Sequence, residues 1–296
     1  MSVLSINKLT KTYGKVKALD NLNLEIEAGN IYGLLGPNGS GKTTTLGIIL
    51  GILGNDSGTY EWFDGQYGDQ HRMYIGAILE TPNFYPYLDA VDNLEIVARI
   101  KNVKQTNFDE ILEQVNLAHR KTSKFHSYSL GMKQRLAIAA TLIGDPKVLI
   151  FDEPTNGLDP QGISEVRDVL TRVASNGNTV IMASHLLDEV EKICSHVAII
   201  KDGVLRKTGE VGALLNNDAQ VHIAAEDMMR LENMLLGLPY IRNVVKRDNF
   251  IECNLSKDQN LAELNANAFQ QGLLLTHLVS KKQSLEDEFL EITKEQ

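Results

Sequence analysis

With 296 residues, 43% hydrophobic and 23% charged, the chain suffices for one large or two modest soluble domains with a proper core. Its net charge of −9 argues against a duplex-DNA binder, which carries a basic stripe. The most apolar stretch, residues 46–54, is far shorter than the roughly 20 residues that span a bilayer, and the N-terminus MSVLSINKLTKTYG lacks the apolar run of a secretory leader, so any membrane role is expected to come through a partner.

Strand-like alternation over residues 3–6 and 22–26, punctuated by Asp20-Asn21 and Ala28-Gly29-Asn30, predicts an antiparallel β portion. Ile31-Tyr32-Gly33-Leu34-Leu35 reads as a buried strand, followed by a glycine-rich loop and a helix over 43–53. Residues 82–144 read as mostly helical, with Asp89 capping a helix through 100 and further helices over 108–115 and 132–142. Buried strands over 148–151, 180–183 and 197–200 alternate with helices over 164–174 and 186–193, the pattern of a parallel sheet with crossover helices. After Leu215 the polar break Asn216-Asn217-Asp218 leads into strand 220–224, helix 227–236, strands 241–246 and 250–255, helix 261–271 and strand 273–278, a βαββαβ order that matches a ferredoxin-like unit. A last helix over 284–293 closes the chain, and the two cysteines, Cys194 and Cys253, have no metal-ligand or redox spacing and are expected to be inert thiols.

The strongest chemical signal is Gly36-Pro37-Asn38-Gly39-Ser40-Gly41-Lys42-Thr43, which fits G-x-x-x-x-G-K-[ST] between a predicted strand and a predicted helix. Its glycines let backbone N–H groups converge on a phosphate chain at a helix N-terminus. Lys42 brings a point charge to the outer phosphates, and Thr43 offers a hydroxyl to Mg²⁺. A second site is expected where Val148-Leu149-Ile150-Phe151 ends in Asp152-Glu153. Asp152 is placed to hold Mg²⁺ through its water shell, and Glu153 to act as general base or to orient the attacking water.

Three further segments carry a family resemblance. Tyr128-Ser129-Leu130-Gly131-Met132-Lys133-Gln134-Arg135 resembles the signature of ABC-type ATPases, usually Leu-Ser-Gly-Gly-Gln. Pro154-Thr155-Asn156-Gly157-Leu158-Asp159-Pro160 looks like the family's D-loop, and Ser184-His185 like its switch histidine, all in the family's order across residues 2–215. The resemblance implies an ATPase in which two copies pack head to tail with ATP between them. Ser129 and Gly131 would close on the γ-phosphate held by the other copy, Asp159 would help align that site, and His185 would contact the γ-phosphate. Tyr13 would stack on adenine, and Thr44 joins Thr43 and the loop among the nucleotide contacts. The sequence departs from the pattern at Leu130 and Met132, and at Glu80, which stands where the family usually has a metal- and water-sensing Gln. Glu80 is therefore expected as a metal-site residue.

The chain also resembles the bacterial subunit group paired with separate export permeases, through its signature, Ser-His-Leu-Leu-Asp-Glu-Val-Glu at 184–191 and the ending Ser-Leu-Glu-Asp-Glu-Phe-Leu at 284–290. That implies an α/β P-loop NTPase core with an antiparallel β layer and a helical arm over about 82–145, in a domain of residues 1–215. A small α+β ferredoxin-like domain of residues 216–296 would serve dimer contact or regulation. It further implies ATP and Mg²⁺ as ligands, a homodimer, and a permease partner docking near Phe84-Tyr85-Pro86-Tyr87. A place on the cytoplasmic face of the cell membrane follows, with no nucleic acid involved. The alternatives are a soluble ABC ATPase with a non-transport partner and an ATP-gated regulatory module. The cargo is not written in this chain.

Overall fold

The computed structural model describes residues 2–79, 83–215, 219–256, 259–281 and 284–294. The chain forms two compact units, Met1–Glu210 and Val211–Gln296.

The first unit opens with β1 (Ser2–Tyr13) and β2 (Val16–Glu27), paired antiparallel. Period-two alternation drives their burial: Leu22, Leu24 and Ile26 point inward while Asn21, Asn23, Glu25 and Glu27 face solvent. Both strands run well beyond the predicted spans, through bulges at which Lys8 and Asn21 take positive φ. After β3 (Ile31–Leu35) and α1 (Lys42–Ile49) comes β4 (Ser57–Trp62), which pairs with β1 to complete a three-stranded sheet of order β2-β1-β4. Helix α1 ends four residues before its predicted end, because Gly51 turns the chain at φ +68°.

β5 (Ile75–Ile78), β6 (Val148–Asp152), β7 (Thr179–Ser184), β8 (His196–Lys201) and β9 (Val204–Glu210) join β3 in a six-stranded sheet of order β5-β6-β7-β3-β8-β9. All pairings are parallel except β8–β9. One apolar cluster is shared by the antiparallel sheet, α1 and one face of the larger sheet, with Leu4, Ile26, Leu46, Ile49, Ile150 and Ala183 among its members. Between β5 and β6 lie the arm helices α2 (Ala90–Ile100), α3 (Phe108–Gln114) and α4 (Leu130–Leu142). Asp89 caps α2 as expected, its carboxylate accepting from the Asp92 amide at 3.0 Å. α5 (Pro160–Ser175) and α6 (Leu187–Ile193) are the crossovers on either side of β7. α5 begins four residues before the predicted span, since Asp159 caps it and Pro160 occupies its first turn.

The C-terminal end of α4 is closed by a side chain. The Lys101 ammonium donates to the carbonyls of Ala140 (3.3 Å), Thr141 (3.3 Å) and Ile143 (2.9 Å). Burial pushes its pKa down to about 8 from the ordinary 10.5. Between those values the unfolded chain holds a proton that the folded chain has released, so rising pH favours the fold at this residue. Measured against Lys101→Met by denaturant unfolding, the wild type is expected to gain stability from pH 8 to 10 at up to about 1.4 kcal/mol per pH unit. A flat difference across that range would show that Lys101 keeps its proton.

The second unit holds α7 (Val211–Leu214), β10 (Ala219–Ala225), α8 (Met228–Leu236), β11 (Ile241–Lys246), β12 (Ile251–Leu255), α9 (Leu261–Gln270), β13 (Leu275–Lys281) and α10 (Leu285–Lys294). Its sheet has order β11-β12-β10-β13 with every neighbour antiparallel, the arrangement a ferredoxin-like βαββαβ unit takes. Alternate residues of β10 and β12 (Val221, Ile223, Ile251, Cys253 and Leu255) meet Leu231 and Leu235 of α8 and Leu264 of α9 in a separate core.

Candidate nucleotide-binding site

β3 is buried along its whole length and delivers the glycine-rich loop at its carboxyl end. Gly36 has no room for a side chain: a Cβ there would run into the Ile200 carbonyl and the Ser40 hydroxyl. Gly39 and Gly41 turn the loop at φ +81° and +108°, conformations that only glycine takes at no cost. Gly41 then caps α1, its carbonyl accepting from both the amide (2.8 Å) and the hydroxyl (2.9 Å) of Thr45. Pro37, Asn38 and Gly39 are exposed at the crest, Ser40 is buried, Thr43 is exposed and Thr44 half-buried.

The loop is braced by a turn that the strand predictions did not include. Gly203, at φ +75° between β8 and β9, donates its amide to the Ser40 carbonyl at 3.0 Å and accepts from the Asp20 amide at 2.9 Å. The signal was present, because Asp202-Gly203 between two apolar runs is a strong hairpin mark.

Lys42 is buried, with its ammonium donating to the carbonyls of Gly36 (2.7 Å) and Pro37 (3.3 Å). Burial lowers its pKa, and the carboxylates of Glu153 and Asp152 oppose that shift. Asp152 ends β6, and its Oδ2 accepts from the Thr43 hydroxyl at 2.7 Å. Burial raises the Asp152 pKa, and Glu153 adds to that, while the Thr43 bond and Lys42 pull it down. Its other oxygen, Oδ1, is buried with no hydrogen-bond partner. A buried acceptor without a donor, beside a hydroxyl whose proton is already committed, suits a divalent cation. Among the described residues no three His, Cys, Asp or Glu converge to hold a metal by themselves, so such a cation needs phosphate and water for its remaining ligands.

Glu153 follows at φ +51°, a left-handed backbone held by its amide donating to the Ala183 carbonyl at 2.9 Å. Its Oε2 lies 2.9 Å from His185 Nδ1 and 3.4 Å from the His185 amide nitrogen. The loop, Asp152-Glu153 and His185 thus meet at the carboxyl ends of neighbouring strands β3, β7 and β6, where an open α/β sheet places ligands.

Ser129, Gly131 and Asp159 form a different group. Ser129 caps α4, its hydroxyl oxygen accepting from the Met132 amide at 3.2 Å, and Asp159 caps α5, accepting from the Gly162 amide at 2.8 Å. Together they line an open hollow of 460 Å³ to which the glycine-rich loop contributes no residue. Arg135 and Glu165, neither of them among the predicted site residues, pair at 2.9 Å across that hollow's wall. Tyr13 stands half-exposed at the end of β1 with the Lys11 ammonium 5.4 Å from its ring centre. Glu80 lies outside the described residues.

A mainly parallel sheet, a glycine-rich loop running into a helix and a carboxylate on a neighbouring strand define a P-loop nucleotide hydrolase. The ABC transporter family profile matches residues 19–156. The uncharacterized ABC transporter ATP-binding protein YdbJ of Bacillus subtilis is 37% identical over 296 residues, covering 98% of this chain and 95% of that protein. The bacitracin transport ATP-binding protein BcrA of Enterococcus faecalis is 36% identical over 293 residues, covering 97% and 95%. Among solved structures, cbiO1 from Clostridium perfringens, part of the ABC transporter complex cbiONQ, superposes with a TM-score of 0.66 at 29% identity, over 80% of this chain and 96% of that one. The chain belongs to the ATP-binding proteins of the ABC transporter family, and it is an ATP-binding and ATP-hydrolysing transport subunit. Among the described residues no helix is long and apolar enough to cross a membrane.

Proposed function

We propose that two copies of this chain close around two ATP·Mg²⁺ and that hydrolysis drives a separate membrane permease in the direction of export. The observation that carries this reading is the split of the site: one copy gathers Lys42, Thr43, Asp152, Glu153 and His185 at the strand ends, while Ser129, Gly131 and Asp159 line a hollow that the loop does not enter. A second copy is what brings a hollow of that kind to a bound phosphate chain.

In this reading the loop amides and the N-terminus of α1 bind the phosphates, and Lys42 leaves its two carbonyls to reach the outer ones. Tyr13 stacks on adenine. Thr43 and Asp152 hold the Mg²⁺, which when bound neutralises charge on the β- and γ-phosphates. Glu153 orients and deprotonates the attacking water, and His185, fixed by the Glu153 carboxylate, faces the γ-phosphate. Ser129 is already set as a donor. Its oxygen accepts from its own helix, so its O–H is free to bond a phosphate of the other copy, a charge-assisted bond worth about 1.5–3 kcal/mol.

The arm offers the permease an aromatic surface. Tyr85 and Tyr87 are 49% and 66% exposed, while their neighbour Phe84 packs edge-on against Phe125. The buried Asn93 side chain holds the Tyr85 backbone from both sides, accepting from its amide at 2.8 Å and donating to its carbonyl at 3.2 Å. Export is supported by branch resemblance and by relatives named for bacitracin transport. Residues 216–296 serve as a dimer contact or regulator, and the assembly sits on the cytoplasmic face of the membrane through the permease.

The test is phosphate release by the purified chain, with sedimentation in ATP with and without Mg²⁺. Turnover together with an ATP-dependent dimer supports the reading. Neither, even with the permease supplied, would remove it in favour of an ATP-gated regulatory module.

A further inference from the structure

β1 lies between β2 and β4, and its two neighbours do not end together. β2 accompanies β1 to its last residue, where Tyr13 stands opposite Val16. The ladder with β4 stops earlier, at Thr10 opposite Ser57. Past that pair the β4 side of β1 has no strand, and an amide there needs another acceptor. The pairing with β2 is irregular over the same stretch, its register shifting between Leu9 and Lys11 and again between Lys11 and Thr12.

Asp56, the residue before β4, supplies the missing rung. Its amide donates to the Thr10 carbonyl at 2.9 Å, and its Oδ2 accepts from the Thr12 amide at 2.6 Å. Its Oδ1 accepts from the Lys11 ammonium at 3.2 Å. The Thr12 amide first, and Lys11 after it, hold the Asp56 carboxyl below its ordinary pKa, so it is charged at neutral pH. The Lys11 side chain is only 18% exposed, and its ammonium stands over the Tyr13 ring, 5.4 Å from the centre. A surface ion pair alone would contribute little. Here the same carboxylate also fixes the backbone directly before Tyr13.

We propose that Asp56 is a positioning residue for ATP binding: its carboxylate continues the β1–β4 ladder by one rung and holds the Thr12 amide and the Lys11 ammonium, which together set the place and tilt of the Tyr13 ring for adenine. The inference rests on the reading of Tyr13 as the adenine platform given above. Asp56 acts through Tyr13 and leaves the phosphate-binding loop alone.

The test is Asp56→Ala, with affinities for ATP and for inorganic tripolyphosphate, each with Mg²⁺, measured by calorimetry. Tripolyphosphate has a phosphate chain and no base, so it reports the loop without Tyr13. ATP affinity should fall about three- to tenfold, a part of what stacking on an aromatic ring contributes. Tripolyphosphate affinity should stay within twofold. Loss of a negative charge would by itself favour either anion, so a fall for ATP has the sign of lost positioning. KM for ATP should rise by the same factor with kcat held, the mark of binding shared equally by ground and transition states. In the Tyr13→Ala background, Asp56→Ala should cost less than twofold more. Three results overturn the inference alone: equal losses for both ligands, a loss that persists undiminished without Tyr13, or no loss where Tyr13→Ala has one. If Tyr13→Ala binds ATP as the wild type does, the adenine reading fails and the inference falls with it. Should Asp56→Ala be too unstable to assay, Asp56→Ser, polar but too short to reach both partners, takes its place with the same expectations.

Discussion

Glu153→Gln is expected to lower steady-state ATP turnover at least about a hundredfold while leaving ATP bound and an ATP-dependent dimer stable enough to sediment. Removal of a positioned general base costs about 10²–10⁴-fold in rate. The amide keeps the size of the side chain and an oxygen for the His185 contact, now at 2.9 Å, so the backbone strain at φ +51° and the approach to His185 have no reason to change. What disappears is the basic charge. Phosphate release and sedimentation velocity in ATP and Mg²⁺ check both halves. Turnover within a few-fold of wild type would mean that Glu153 does not take the water's proton, and His185 would become the residue to examine next.

Asp152→Asn should separate stability from activity. In the nucleotide-free chain Asp152 is a half-buried acid whose pKa is raised by desolvation and by Glu153, and one of its oxygens is buried without a partner. Its charge therefore works against the fold at neutral pH. Asparagine removes that charge and still accepts from Thr43, so the melting temperature without ligand should hold or rise. Hydrolysis should fall by a hundredfold or more, and the part of ATP stabilisation that depends on Mg²⁺ should vanish. At a ligand concentration about a hundred times Kd, binding contributes about 2.7 kcal/mol to stability, which thermal unfolding resolves easily. An unchanged Mg²⁺-dependent shift in the variant would take Asp152 out of the metal site.

The elements around the chemistry were legible in the sequence because each carries its own local code. The five-residue run before Gly36, the run ending in Asp152 and the βαββαβ order of the tail all follow from apolar runs between turn residues. β4 was not legible: Ser57-Gly58-Thr59-Tyr60-Glu61-Trp62 buries only its last side chain, so no apolar periodicity marks it, and its strand character comes from pairing with β1. β5 is four residues long and borrows its conformation from β6. β9 carried the Asp-Gly mark, but its residues alternate between half-buried and exposed and give no apolar run. The site divides in the same way. Residues fixed by motif spacing could be named in advance. The support of the glycine-rich loop by Gly203 acts through hydrogen bonds between segments far apart in sequence, which no single window contains.

The bond from Thr43 to Asp152 settles a question of sign. A hydroxyl is by nature ambivalent, able to greet an anion with its proton or a cation with its lone pairs. Here the proton is spent on a carboxylate before any ligand arrives, so Thr43 has only lone pairs left to show. A phosphate oxygen meets repulsion at that atom and must settle on the amides and Lys42, while a cation meets an open acceptor. The loop thereby sorts the two halves of an ATP·Mg²⁺ complex by charge, and an anion binding alone finds one fewer donor than the loop's composition suggests.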